Sequence, residues 1–324
     1  MSALKIDKDL LTSFEEGLHP QHPEKSKVPV KILGYGEMST VFEISVAGHD
    51  GYAYKRMPIF KTIDEAAPYE KTYDLYNTLL KESVGIDVPA FDSAVVKTKD
   101  GKIVMFDVQK KLLPESIGNR VIGKVSEKEI EVLIKLALRE FKKLWAFNAK
   151  KKKYELGIDG QISNWSVVGF DPKSPKVTEK DKLLYLDTST PFLRIDGVEQ
   201  LDPELFLRAA PSFMVWLIRW LFLKDVMTRY YDFRMVVIDL IANFYKEQRP
   251  EMVPKLIDVA NDFFGGEGKE FGIKPITEKE VKSYYSEDAM IWRIWLFFRK
   301  VDRFIKTKIT RKGYPFILPG KIKR

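Results

Sequence analysis

The order of short strands and a single helix between Val28 and Val108 constrains this chain more than any other feature. Val28–Leu33 reads as an apolar strand that closes on Gly34-Tyr35-Gly36. Ser39–Val46 then alternates polar and apolar residues, the two-residue period of a half-buried strand. Gly48-His49-Asp50-Gly51 reads as a hairpin turn, because Asp-Gly accepts the positive φ that tight hairpins need. A third strand, Tyr52–Met57, stops at Pro58. The helix that follows spans Ile63 to Ser83, with Ala66, Tyr69, Tyr73, Tyr76, Leu79 and Leu80 at three- and four-residue spacing and Gly85 as its terminator. Phe91–Lys97 and Lys102–Val108 form a last hairpin around Asp100-Gly101. Three strands, one helix and two strands predict a small antiparallel sheet with a helix laid against it.

After Gln109 the period changes to that of helices. Ser126 and Glu129 make a capping box for a helix over Glu127–Lys150, whose stripe is Ile130, Leu133, Ala137, Phe141, Leu144 and Asn148. Lys150–Lys153 sit where positive charge complements the helix dipole, and where they could also reach a phosphate. A region of loops and short strands covers Tyr154–Ile195, with a charged insertion at Asp171–Lys182. From Pro203 onward the chain reads as helical, with breaks near Pro211, Pro250 and Gly265-Gly266, a long helix over Thr277–Lys308, and a basic tail from Arg311 to Arg324. This divides the chain into an extension at 1–27, a small lobe at 28–108 and a mainly helical lobe at 109–324.

Composition removes several classes of chemistry. There is no cysteine, so disulfides, thiolate metal sites and cysteine nucleophiles are out, and a cytoplasmic protein is expected. The three histidines, His19, His22 and His49, lack a spacing suited to a metal. The most apolar stretch, Phe213–Leu223, contains Arg219 and falls well short of the roughly 20 residues that span a bilayer, so it reads as a core helix. Met1–Lys27 is mixed and polar, unlike a signal or transit peptide. A net charge of +8 suits an anionic partner such as a nucleotide, a phosphorylated substrate, a nucleic acid or acidic lipid, and equally a solvated basic surface.

Four groups of residues can carry chemistry. Gly34-Tyr35-Gly36-Glu37-Met38-Ser39 lies between two strands, which excludes the Rossmann and Walker loops, since both need a helix N-terminus for the phosphates. A glycine-rich hairpin can instead bring its backbone N–H groups onto phosphates as a lid. Lys55, on the third strand, can neutralise phosphate charge if a carboxylate fixes it. Glu70 on the following helix is the first choice, and Glu65 and Glu82 remain open because the helix phase is uncertain from one sequence. Asp159 and Asn164, five residues apart in a turn-rich loop, can converge as a proton acceptor and a metal ligand. Asp187 follows the apolar run Leu183-Leu184-Tyr185-Leu186, as a carboxylate delivered at a strand end, and suits Mg²⁺.

In this order the motifs resemble those of protein kinases and of their small-molecule relatives, the aminoglycoside and choline phosphotransferases, over Val28–Asp187, about half of the chain. The resemblance implies a two-lobed α+β fold that binds ATP and Mg²⁺. It places Gly34, Gly36 and Ser39 over the phosphates, Lys55 on them and Glu70 on Lys55. Asp159 would be the catalytic acid-base residue, and Asn164 and Asp187 the magnesium ligands. Phe106 and Val108 would stand on the strand leading to the adenine-binding hinge. Catalytic and metal loops then fall at 157–189.

The sequence also departs from the pattern. Gly157-Ile158 precedes the catalytic Asp159 where His-Arg is usual, Asp187-Thr188-Ser189 replaces Asp-Phe-Gly, and no Ala-Pro-Glu follows. These losses argue against phosphorylation control and leave every group that would touch nucleotide or metal in place. They lean toward phosphoryl transfer to the hydroxyl of a small molecule, with a protein acceptor not excluded. A nucleotide-binding scaffold without transfer stays open, as does a basic protein that binds nucleic acid through Lys150–Lys153 and the tail.

Overall fold

Alternating burial along the first strands sets up a sheet with two covered faces. The computed structural model describes residues 4–36, 39–150, 153–202, 204–208, 215, 228–311 and 313–319. Strands β1 (Val30–Tyr35), β2 (Thr40–Ile44), β3 (Tyr52–Met57), β4 (Phe91–Lys97) and β5 (Ile103–Lys110) pair antiparallel in the order β1-β2-β3-β5-β4. The expected hairpin at 48–51 forms, but its positive φ belongs to Gly48, at 84°, and not to the Asp-Gly pair. The second hairpin turns at Gly101, φ 85°, as expected.

Each face carries a helix. Helix α1 (Lys8–Gly17) starts at an Asp7 cap and inserts Leu11 and Phe14 against Phe42, Ile44, Tyr54, Phe106 and Val108. Phe14 meets Phe42 and Phe106 edge-on, at centroid distances of 5.4 and 6.0 Å. The segment expected as an extension thus contributes the centre of one sheet core. Helix α2 (Ile63–Thr78) covers the other face; Thr62 caps it, and it runs on as a π turn over Leu79–Val84 to Gly85, φ 81°. Pro68 is tolerated within it as its sixth residue.

The larger lobe gathers around α4 (Glu127–Lys150), preceded by the short α3 (Gly118–Val121). The Ser126–Glu129 capping box forms. The expected stripe Ile130, Leu133, Ala137, Phe141 and Leu144 is buried, and Asn148 closes it by bonding both backbone groups of Leu156. After the short α5 (Glu204–Arg208), helices α6 (Phe233–Lys246), α7 (Val253–Gly265) and α8 (Glu278–Phe304) complete the lobe. Small sheets pack on the core of this lobe: β6 (Tyr154–Leu156), β9 (Leu193–Ile195) and β10 (Val198–Glu199) in one, β7 (Trp165–Val167) and β8 (Leu183–Tyr185) in the other. The fold is therefore α+β, with an antiparallel sheet lobe and a larger, mainly helical one. Among the described residues no helix is long and apolar enough to cross a membrane. The apolar stretch at 213–223, apart from Val215, lies outside the described residues, as do Pro211, Lys151, Lys152 and the tail's Lys312 and 320–324.

The described part of the basic tail does not stand apart as an arm. Tyr314, Phe316 and Leu318 are buried with Met57, Ile59 and Phe60 at the edge of the sheet lobe. Ile317 enters the α1 core. The Pro315 carbonyl accepts a 2.7 Å bond from Arg56. That arginine is itself buried, 1% exposed, and pairs bidentately with Glu15 through two 2.6 Å bonds. Lys102 reaches the same carboxylate. Burial pulls the Glu15 carboxyl up, but Arg56 and Lys102 outweigh it and hold it below its ordinary 4.5. Glu15 therefore contributes fully above pH 4.5, and that stability fades as the pH falls through the lowered value. Removing one partner of a buried pair costs about 3–5 kcal/mol. Arg56→Leu should lower stability to urea by about that amount and move acid unfolding to higher pH, read by circular dichroism.

Candidate active site

Lys55 leaves β3 toward the gap between the lobes, and its Nζ lies 2.7 Å from Asp187 Oδ1. The two side chains are 21% and 27% exposed, so the pair is partly open to solvent. Burial pulls Asp187 up, yet the charge and hydrogen bond of Lys55, together with a 3.1 Å bond from Ser189 Oγ, hold its carboxyl below the usual range. Both bonds fall on Oδ1. Oδ2 is left to accept something else.

Asp187 is delivered as its sequence context suggests, directly after β8, whose partner β7 continues the Asp159–Asn164 loop. In that loop Asp159 Oδ1 accepts from the N–H of Gln161 at 3.1 Å, and Asn164 Nδ2 reaches the Asp159 carbonyl at 3.4 Å. The Asn164 carbonyl accepts the N–H of Leu186 at 2.8 Å, which fastens the loop to the residue before Asp187. The amide nitrogen of Asn164 is thus engaged while its amide oxygen carries no hydrogen bond. Asp159 and Asn164 are tied to the segment that carries Asp187, and Lys55 reaches Asp187 from the small lobe.

The other expected residues are placed as follows. Gly34 and Tyr35 lie within β1, paired with Val41 and Thr40, and Gly36 bonds Ser39 across the turn at 3.0 Å. Ser39 is buried. The tip residues Glu37 and Met38 lie outside the described residues. Glu70 accepts a 3.0 Å bond from Ser93 on β4, whereas the bond seen for Lys55 runs to Asp187. Glu65 is taken by Arg208, and Glu82 is exposed at the π turn. Phe106 and Val108 pair with Arg56 and Tyr54, so their side chains enter the α1 core on the face away from Lys55. Strand alternation puts Asp107 and Gln109 on the Lys55 face instead.

Several residues of the site escaped sequence reading. Gln109 Nε2 bonds the Leu186 carbonyl at 3.0 Å and Thr188 Oγ1 at 3.2 Å, tying β5 to the Asp187 loop. Tyr69 bonds the Ser189 carbonyl at 2.5 Å, and Tyr76 the Gly157 carbonyl at 2.8 Å. Burial pushes both phenols up, so each stays a donor. In the sequence these tyrosines counted only as part of an apolar stripe. Behind Lys55, carboxyls crowd together. Burial, with Glu70 and Asp92 nearby, pushes Asp74 up to about 6. Asp107, 3% exposed, is raised well above its ordinary range, by burial first and by Asp187, Asp74 and Glu70 after it, against the pull of Lys55.

Two glycines press the loop that carries Asp159 against its surroundings. A Cβ on Gly157 would lie 2.8 Å from the Tyr230 carbonyl oxygen, and one on Gly160 would lie 2.8 Å from the Val236 carbonyl oxygen on α6. Both contacts are closer than any real Cβ sustains with a backbone atom.

A two-lobed α+β protein with a lysine–aspartate pair reaching across its cleft is the class that these features define. The chain belongs to a family of unknown function, DUF6206, whose model matches residues 18–305. No curated protein matches its sequence. Among solved structures it is similar to wild-type aminoglycoside 2'-phosphotransferase-IIIa in a GDP complex, at 13% identity and a TM-score of 0.34, covering 78% of this chain and 97% of that one. A point mutant of that enzyme gives 14% identity over 80% and 99% of the two chains, again at 0.34. WaaP in complex with acyl carrier protein gives 11% identity and a TM-score of 0.32 over 71% of this chain and 89% of that one. Likeness at this level is too slight to assign an activity, a substrate or the role of a residue.

Gly160→Ala should force this loop off α6, since a backbone oxygen cannot yield as a side chain can. A loss of about 1–3 kcal/mol is expected in thermal or urea unfolding, the range of overpacked sites. Gly169→Ala, with open space around its Cβ, sits at a positive φ of 73° and tests backbone strain without crowding.

Proposed function

We propose that the cleft binds a nucleoside triphosphate with Mg²⁺ and transfers its terminal phosphoryl group to a hydroxyl. The observation that supports this most is the Lys55–Asp187 pair, with Asp159 and Asn164 fastened to the same loop system. In phosphoryl transfer there is little covalent work for the protein, so positioning and charge neutralisation are what a site must supply. The residues here are of the kind such a site needs.

The donor set fits a magnesium ion only in company with phosphates. Asp187 Oδ2 and the Asn164 amide oxygen are hard oxygen donors with no hydrogen bond, and Mg²⁺ is commonly held by one or two carboxylates plus phosphate and water. No cluster of three or more His, Cys, Asp or Glu side chains suited to a metal occurs among the described residues. When bound, the ion would neutralise charge developing on the phosphates. Lys55 would hold the phosphates on the small-lobe side, under the hairpin of Gly34, Gly36 and Ser39. Asp159 would accept or orient the proton of the acceptor hydroxyl. Gln109, Tyr69 and Tyr76 act on the reaction indirectly, by fixing the loops that carry Asp187 and Asp159.

The basic-tail route to nucleic acid has less support, because Tyr314, Phe316, Ile317 and Leu318 are spent on the sheet lobe. Phe106 and Val108 face the α1 core, so any adenine contact by β5 would come from its backbone and the segment after Lys110.

Calorimetry of ATP binding with and without Mg²⁺, on the parent and on Asp187→Ala, tests the proposal. Binding that requires the metal and weakens about tenfold or more in the variant, roughly 1.4 kcal/mol, is the expected result. Absence of binding in both conditions would overturn it. Binding without phosphate release or transfer to any acceptor would leave a nucleotide-binding scaffold.

A further inference from the structure

Among the described residues, Asp107 is a buried carboxyl, 3% exposed, with both of its oxygens lacking a hydrogen-bond partner. A buried carboxyl in that condition costs several kcal/mol relative to an apolar residue of similar size, so its presence calls for a partner in some state of the protein. Its position says which partner. Asp107 on β5 stands directly opposite Lys55 on β3 and directly opposite Ser93 on β4. Residues so paired point to one face with Cβ atoms about 5 Å apart. The row Lys55, Asp107, Ser93 crosses the sheet, and Glu70 closes its far end through Ser93.

Resting on the proposed nucleotide site, the geometry points to Asp107 as the positioning residue that holds Lys55 once Asp187 is committed to a metal ion. Asp187 cannot serve an ammonium and a divalent cation equally, because the cation draws its electron density and its orientation. Lys55 would then need another fixed negative group to keep its ammonium aimed at phosphate. Glu70 accepts from Ser93 at the far end of the row through Oε1, and both Glu65 oxygens accept from Arg208. Asp107 lies one strand away on the same face, and the four-carbon stem of a lysine spans that distance. The lysine therefore exchanges a partner on the large lobe for one on its own sheet, with no movement of α2.

The test reads Lys55 itself and needs no nucleotide. The full-length parent, Asp187→Asn and Asp187→Asn/Asp107→Asn are acylated with a small amine-reactive ester, and modification of Lys55 is followed by peptide mass spectrometry, with folding checked by circular dichroism. With Asp187 removed, Asp107 is expected to take Lys55, so the single variant should react within about threefold of the parent. The double variant should react about tenfold faster or more, the effect of roughly one pKa unit. Asp107→Glu in place of Asn should restore the slow rate, and Asp107→Ser serves if the Asn variant does not fold. If Asp187→Asn alone already reacts as fast as the double variant, Asp107 does not hold Lys55 and the proposal falls. In calorimetry, Asp107→Asn should weaken ATP binding with Mg²⁺ and leave metal-free binding unchanged. Equal binding of ATP with Mg²⁺ by the parent and Asp107→Asn would also overturn it. A parent that binds no ATP defeats the functional reading instead, while the acylation rates still decide the role of Asp107.

Discussion

An ammonium and a carboxylate 132 residues apart in sequence meet in the cleft, and the rest of the site is arranged around keeping them there. Lys55 belongs to the sheet lobe and Asp187 to the loop system of the helical lobe. The pair would be weak if either side were loose, since a partly exposed ion pair gains little on its own. Neither side is loose. Gln109 and Tyr69 bond the backbone and hydroxyl groups flanking Asp187, and Tyr76 bonds the residue two before Asp159. The links from α2 to the loops around Asp159 and Asp187 thus run through tyrosine hydroxyls on neutral carbonyls, which carry no desolvated charge.

A second ion pair does the corresponding work for the sheet lobe. Glu15 and Arg56 are buried together, with Lys102 and the Pro315 carbonyl filling the remaining positions around them. Charges this deep are tolerated only when every donor and acceptor is engaged. The arrangement joins the first helix, a central strand, a hairpin and the end of the chain at one point. It also fixes Arg56, the neighbour of Lys55, whose side chain points to the opposite face.

Much of this was legible in the sequence. Alternation and turn residues gave three strands, a helix and two strands, and the boundaries of β3 and β4 agree with the structure. The Ser126 cap and the α4 stripe were equally clear, because local spacing determines them. Turn chemistry misled at one place, where Gly48 and not Asp50-Gly51 takes the positive φ. Less legible was what depends on contacts distant in sequence. Glu70 has the right helix position for a lysine partner, yet Ser93, invisible as a candidate, lies near enough to take its carboxylate. Phe106 and Val108 were read without a strand phase, and a shift of one residue exchanges the buried core face for the cleft face. Leu11 and Phe14 lie in a segment that read as mixed and polar, and nothing local said that a sheet face would receive them.

The return of residues 314–318 to the first lobe also has a consequence for how the chain acquires its form during synthesis. A ribosome presents the five strands, α1 and α2 long before Pro315 exists, so the growing lobe must wait with an incomplete charge cluster and an uncovered apolar edge at Met57, Ile59 and Phe60. The helical lobe is made in that interval and must leave the edge accessible to residues 314–318. Completion of the sheet lobe therefore waits on residues made after the helical lobe, so the two lobes cannot mature strictly one after the other.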